Sequence, residues 1–114
     1  MARLSVGPLP QDALAAAATF HGTVLPRIIA ELAQTRDPVM LVFEPADHTH
    51  TAWRLAAVQA LARRRVPRRI NAVASSDDAA IAAAEAYLDA ADGVTGQLLP
   101  LDSHGAGEVI PSAA

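Results

Sequence analysis

Val39-Met40-Leu41-Val42-Phe43 is apolar and β-favouring on five consecutive residues. A strand with one wet face alternates apolar and polar residues, so an unbroken apolar run needs cover on both faces. The segment therefore predicts a central strand of a parallel sheet with helices above and below.

Toward the N-terminus, Ala2 to Val6 alternates Leu4 and Val6 with Arg3 and Ser5 and reads as a strand ended by Gly7-Pro8. Gln11-Asp12 marks a helix start. The alanine-rich run Ala13 to Phe20 follows, then Val24, Leu25, Ile28, Ile29 and Leu32 at helical spacing, with a stop near Asp37-Pro38. Pro26 removes a backbone donor, which predicts a bend or break near Gly22 to Leu25. Toward the C-terminus, a polar loop, Glu44 to His50, leads into a helix from Thr51 to Ala62 that ends in Arg63-Arg64-Arg65 before Pro67. Arg69 to Ala74 reads as a third strand. Ser75-Ser76-Asp77-Asp78 offers acceptors for the first amides of another helix, whose apolar face is Ile81, Ala84, Leu88 and Ala91. Asp92-Gly93 closes it, and Val94 to Leu101 is expected to be a fourth strand. This alternation predicts a three-layer α/β domain: a four-stranded, mostly parallel sheet with right-handed crossovers and helices on both faces. One domain over residues 1–104 and a flexible tail over 105–114 are expected.

At 114 residues, 52% hydrophobic and a net charge of −3, the chain is long and apolar enough to bury a core. It contains 0 cysteines, which excludes thiol catalysis, disulfides and thiolate metal sites. All 9 of its Lys and Arg residues are arginine, which excludes a Schiff-base or phosphate-loop lysine. The apolar residues never run uninterrupted for the ~20 positions of a membrane span, and the N-terminus lacks the layout of a signal peptide. A cytoplasmic protein with no membrane partner is expected.

Arg69-Ile70-Asn71-Ala72-Val73-Ala74 and Val94-Thr95-Gly96-Gln97-Leu98-Leu99-Pro100-Leu101-Asp102 resemble the last two strands of the short-chain dehydrogenase/reductase family. The helix from Thr51 to Arg63 resembles that family's active-site helix, Val39 to Phe43 the strand before it, and Leu4-Ser5-Val6-Gly7 its fourth strand. The resemblance covers nearly the whole chain but only the second half of a family member. It implies a Rossmann-like half domain.

It also implies a degenerate site. The family's Tyr-x-x-x-Lys pair falls on Trp53 and Ala57, an indole without an acidic proton and a methyl group. Glu44 and Pro45 stand where the catalytic serine is expected, Ser75-Ser76 replaces the Pro-Gly beside the nicotinamide, and Thr19 replaces the helical asparagine. No glycine cluster opens a helix; Gly105 and Gly107 fall in the tail. No cofactor is expected.

Three other features compete for function. Asp47-His48-Thr49-His50 sits where loops leave the carboxyl end of the sheet, the usual place for a ligand; Asp47, His48 and His50 are weak candidates for acid–base chemistry, against exposed loop polarity. His21 and His104 join them only if the fold brings them close. No metal site is expected, because no third ligand follows at fixed spacing. Five arginines between Arg63 and Arg69 suggest phosphate contact, yet a basic cluster suits a helix C-terminus, and with 4% aromatic residues no nucleic-acid partner is expected. Finally, Phe20, Leu25, Trp53, Ala56, Ala57, Ala60 and Leu61 offer apolar and small surfaces for another helix, with Val58 beside them and Arg54 and Arg63 reaching water at the stripe's ends.

The strand at Leu4 to Val6 is expected to be an edge that the parent family covers. These readings converge on a non-catalytic short-chain-dehydrogenase-like protein acting by association, as a homodimer or as accessory partner of a full-length reductase. The alternative is a small cofactor-independent lyase or isomerase, or a ligand-binding protein, using the Asp47-His48-His50 loop.

Overall fold

The computed structural model describes residues 1–101, so the tail expected at 105–114, with His104, Gly105 and Gly107, lies outside the described residues. Four strands, β1 (Ala2–Ser5), β2 (Val39–Phe43), β3 (Ile70–Ala74) and β4 (Leu98–Pro100), form a wholly parallel sheet in the order β1-β2-β3-β4. Among the described residues, helices α1 (Ala13–Thr19), α2 (Leu25–Leu32), α3 (Thr51–Arg64) and α4 (Asp78–Ala90) make the crossovers. The α/β, three-layer, Rossmann-like expectation holds. β1 is an edge strand, as expected.

The pleat sorts β2 between two cores. Val39, Leu41 and Phe43 face one side, where they pack with Phe20, Ile28 and Leu32 of the first crossover and Val58 and Leu61 of α3. Met40 faces the other side and meets Val73 with Ile81, Ala84 and Leu88 of α4. Both cores exclude water because successive side chains of a strand point to opposite faces.

This arrangement corrects one expectation. Each new strand is added on the same side of the last, so helices on one face give crossovers of one hand. α4 lies on the face opposite to the first two crossovers, and the β3-α4-β4 connection therefore has the opposite hand to them. The crossovers, expected from the strand–helix alternation to be right-handed, thus do not all share one hand. Burial supplies the reason: a third helix on the first face would leave Met40 and Val73 bare.

The first crossover is also better resolved than the sequence allows. A wide π turn, Phe20–Val24, joins α1 to α2, with the Leu25 amide donating to the Phe20 carbonyl. The departure from regular α-helix expected near Gly22 to Leu25 is present as this π turn, which accommodates Pro26 without ending the helical run. α2 ends at Leu32, before the stop expected near Asp37-Pro38. The run Ala13–Leu32, with mean hydropathy 1.3, is by length and composition long and apolar enough to cross a membrane. Alanines carry much of this hydropathy, so the run lacks the uninterrupted large apolar residues that the expectation of no membrane span rests on. Only 22% of the window is buried.

β4 is shorter than the expected Val94 to Leu101. Gly96 takes φ +76°, which an extended strand cannot contain. The buried Asn71 side chain donates to the Val94 carbonyl at 2.9 Å and accepts from the Gln97 amide at 3.0 Å. Val94 to Gln97 is thereby a turn docked on β3, and pairing begins at Leu98.

Candidate functional site

Three loops leave the carboxyl ends of the strands, and each ends in an aspartate at a helix start. Asp12 accepts from the Ala15 amide at 2.9 Å, Asp47 from Thr49 at 2.9 Å, and Asp77 from Ala79 and Ala80 at 2.9 and 3.3 Å. Helix starts carry unpaired amides and partial positive charge, which short acidic side chains satisfy. The Thr49 hydroxyl also donates to Asp47, and these two hydrogen bonds from Thr49, outweighing a small desolvation, hold the Asp47 carboxyl below its ordinary value.

Between the first two loops lies a cavity of about 330 Å³, lined among others by Gln11, Glu44, Asp47, His50 and Arg54. Here the histidine loop departs from the exposed polarity set against its chemistry. His48 and Asp47 are exposed, and His48 does not line the cavity. His50 is buried. Its Nε2 donates to the Gln11 carbonyl at 2.8 Å, and its Nδ1 accepts from the Trp53 indole N–H at 3.2 Å. A carbonyl only accepts and an indole only donates, so the hydrogen bonds assign the proton to Nε2 and leave neither nitrogen free for a substrate. His21 bonds to the Ala17 carbonyl through Nδ1 and stands at the edge of the same aromatic group, 6.3 Å from Trp53 by ring centroids. Among the described residues, no three His, Asp or Glu gather as metal ligands.

Trp53 is half-buried and packs against Phe20 and Phe43, with centroids 5.4 and 5.9 Å away. Its N–H is thus committed at the place where the family resemblance puts a tyrosine, and Ala57, at the lysine place, is buried beneath it in the core. Of the other residues expected at an interface, Phe20 is fully buried, Ala57 and Leu61 are nearly so, Leu25 is half-buried, and Ala56 and Ala60 are exposed.

Arg54 departs from the expectation that it reaches water. It does not extend to water: it is 6% exposed, its Nη1 donates to the Glu44 carbonyl at 2.9 Å, and its guanidinium lies 4.6 Å over the Phe43 ring. Its Nε is buried without a partner. Burial lowers its pKa, an effect only partly offset by the Glu44 charge. The signal was present, since Arg54 shares the spacing i, i+3, i+4, i+7, i+8 with the buried Ala57, Val58, Leu61 and Ala62.

In α1 the Asp12 carboxylate accepts from an amide of the first turn and sets a negative charge at the helix start. A Cβ at Gly7 would meet nothing within 4 Å, so this glycine does not serve a close backbone approach. Gly7 takes φ +86°, which accounts for its presence as a turn residue.

No curated protein and no solved structure matches the chain. A family profile described as short chain dehydrogenase-like protein, SDR-like, does match, over residues 4–101. That span runs from within β1 to just past β4 and takes in all three crossovers. The parallel sheet, the helices on both faces and the profile agree: the chain belongs to the SDR-like family of short chain dehydrogenase-like proteins.

Proposed function

We propose that this chain is a non-catalytic member of its family that acts by association, with a second copy of itself or as accessory partner of a related reductase. The observation that carries the reading is the groove between α2 and α3. It encloses about 310 Å³, Leu25, Ile29, Ala60 and Leu61 line it, and His21 and Arg64 stand at its polar margin. Ile29 is 41% exposed and Leu14, on the same helical run, 81%. Exposed apolar side chains in a groove, with small residues that permit close helix approach, support reading it as an interaction site. The replaced tyrosine and lysine positions support a role without hydride transfer, because proton transfer to a carbonyl needs an acid at that point.

Sedimentation or light scattering tests the reading. A dimer of twice the 11.8 kDa chain mass is expected at micromolar concentration. Ala60→Glu, at an exposed position, should return the mass to that of a monomer, and the wild type should melt at a concentration-dependent temperature. A wild-type monomer at high micromolar concentration that captures no full-length reductase would refute it.

The cavity of about 330 Å³ favours a second reading, a small ligand-binding protein or cofactor-independent lyase or isomerase. With both His50 nitrogens committed and His48 outside the cavity, that reading rests on Asp47 and the buried Arg54. Calorimetric titration of small carboxylic acids against the wild type and Arg54→Met tests it; equal heats from both would refute it.

A further inference from the structure

The opposite end of the sheet carries a second cavity. It measures about 490 Å³ and lies where the chain enters β2 and β3, and Arg36, Arg64, Arg65, Arg68 and Arg69 line it. The rest of its wall is two prolines and Val66; no carboxylate is among the lining residues. We propose that this cavity binds the phosphate group of a small phosphorylated molecule.

Two of the five arginines are structural. Arg68 donates to the Leu32 carbonyl at 2.9 Å and to the Thr35 carbonyl, holding the end of α2. Arg69 donates to the Leu88 and Ala91 carbonyls at 2.6 and 2.9 Å and to the Asp89 carbonyl at 3.3 Å, holding the end of α4. These contacts answer the unpaired carbonyls and partial negative charge of the helix ends.

Arg36, Arg64 and Arg65 remain. None of the five arginines takes part in an ion pair among the described residues, whose ion pairs involve Met1, Arg3 and Arg27. The Arg65 Nε is buried with no hydrogen-bond partner. Guanidinium groups gathered in a concavity without a counter-charge repel one another, and a bound dianion removes that repulsion while accepting their forked donors. The volume falls in the ~300–1,000 Å³ range of small-molecule sites, which leaves room for more than the phosphate itself. A concave site with no aromatic lining suits a small molecule better than a nucleic-acid strand, which needs stacking surfaces. The cavity adjoins the α2–α3 groove and shares Arg64 and Arg65 with it, so Arg36, which lines this cavity alone, separates phosphate binding from the proposed association.

Calorimetric titration of the full chain with inorganic phosphate, pyrophosphate and ADP tests the inference. Saturable one-site binding of pyrophosphate is expected, weakened ~10-fold by Arg36→Gln and by Arg64→Gln, each checked for native circular dichroism. Arg63→Gln, an exposed neighbour outside the cavity, should bind as the wild type does. Arg36 does not line the α2–α3 groove, so its effect cannot arise through association. ADP binding tighter than pyrophosphate identifies a nucleotide as the source of the phosphate; equal binding identifies the phosphate group alone. No saturable binding below about 10 mM, or equal weakening by Arg63→Gln, would overturn the proposal. So would a 20-nucleotide single strand that binds more tightly than pyrophosphate, with a log–log salt slope steeper than ~3 charges require.

Discussion

The two ends of the sheet treat charge in opposite ways. At the carboxyl ends of the strands, Asp12, Asp47 and Asp77 each turn a carboxylate onto the amides of the helix start that follows. At the amino ends, Arg68 and Arg69 turn guanidiniums onto the carbonyls of finished helices. Every crossover helix runs antiparallel to its strands, so one end of the domain collects positive helix termini and the other negative ones. The difference lies in the remainder. The aspartates are consumed by the amides they cap, whereas the arginines outnumber the contacts that two helix ends supply. The surplus of guanidinium groups at the amino ends is the charge on which the phosphate proposal rests.

The largest expected effect comes from removing an arginine that holds a helix end. Arg69→Met strands the Leu88 and Ala91 carbonyls and should lower stability by about 2 kcal/mol in urea unfolding. Arg63→Met, exposed in the last turn of α3, should change it by less than about 0.5 kcal/mol. Equal losses would show that the arginines act as bulk charge and not as individual contacts, and the contrast between the ends would collapse.

A smaller loss, about 1 kcal/mol, is expected from Asp77→Ala, since it removes the acceptor for two amides of α4. Asp77→Asn should keep most of that stability, because the amide oxygen still caps. A full loss in the asparagine variant would assign the effect to charge and the helix dipole instead of the hydrogen bonds.

The smallest effect belongs to Asp47, and pH reveals it. Its carboxyl ionises more readily in the folded chain than in the unfolded one, so its contribution is present above the unfolded value and is lost as pH falls through the lower, folded value. Carboxyl chemical shifts followed by NMR should place its midpoint below that of an ordinary aspartate. Thr49→Val, which removes the hydroxyl bond, should move the midpoint up while the arginine end stays unchanged over the same range. An unmoved midpoint would assign the shift to the Thr49 amide.

Much of this was legible in the sequence. Asp12 and Asp77 were readable as helix starts and Arg63 to Arg65 as a helix end, because capping acts within a single turn of chain. Arg54 was legible too, through its place on the buried spacing of α3, but a charged residue on that face read as solvent-reaching. Arg68 and Arg69 were read only as part of a cluster, since the carbonyls they bind lie 19 to 36 positions away.

The sequence by itself determined the order of strands and helices, the apolar faces, the aspartate caps, and the replacement of tyrosine and lysine by Trp53 and Ala57. These follow from periodicities of two and 3.6 residues and from side chains acting on near neighbours. Only the tertiary structure decided which face α4 covers, that His50 is locked between Gln11 and Trp53, and that Val94 to Gln97 folds as a turn on Asn71. Each depends on segments meeting across distant sequence, 39 positions for the His50 contact and 26 for that of Asn71 with Gln97. Such meetings are settled when the two cores close and most buried polar atoms find partners, a condition that no local pattern encodes.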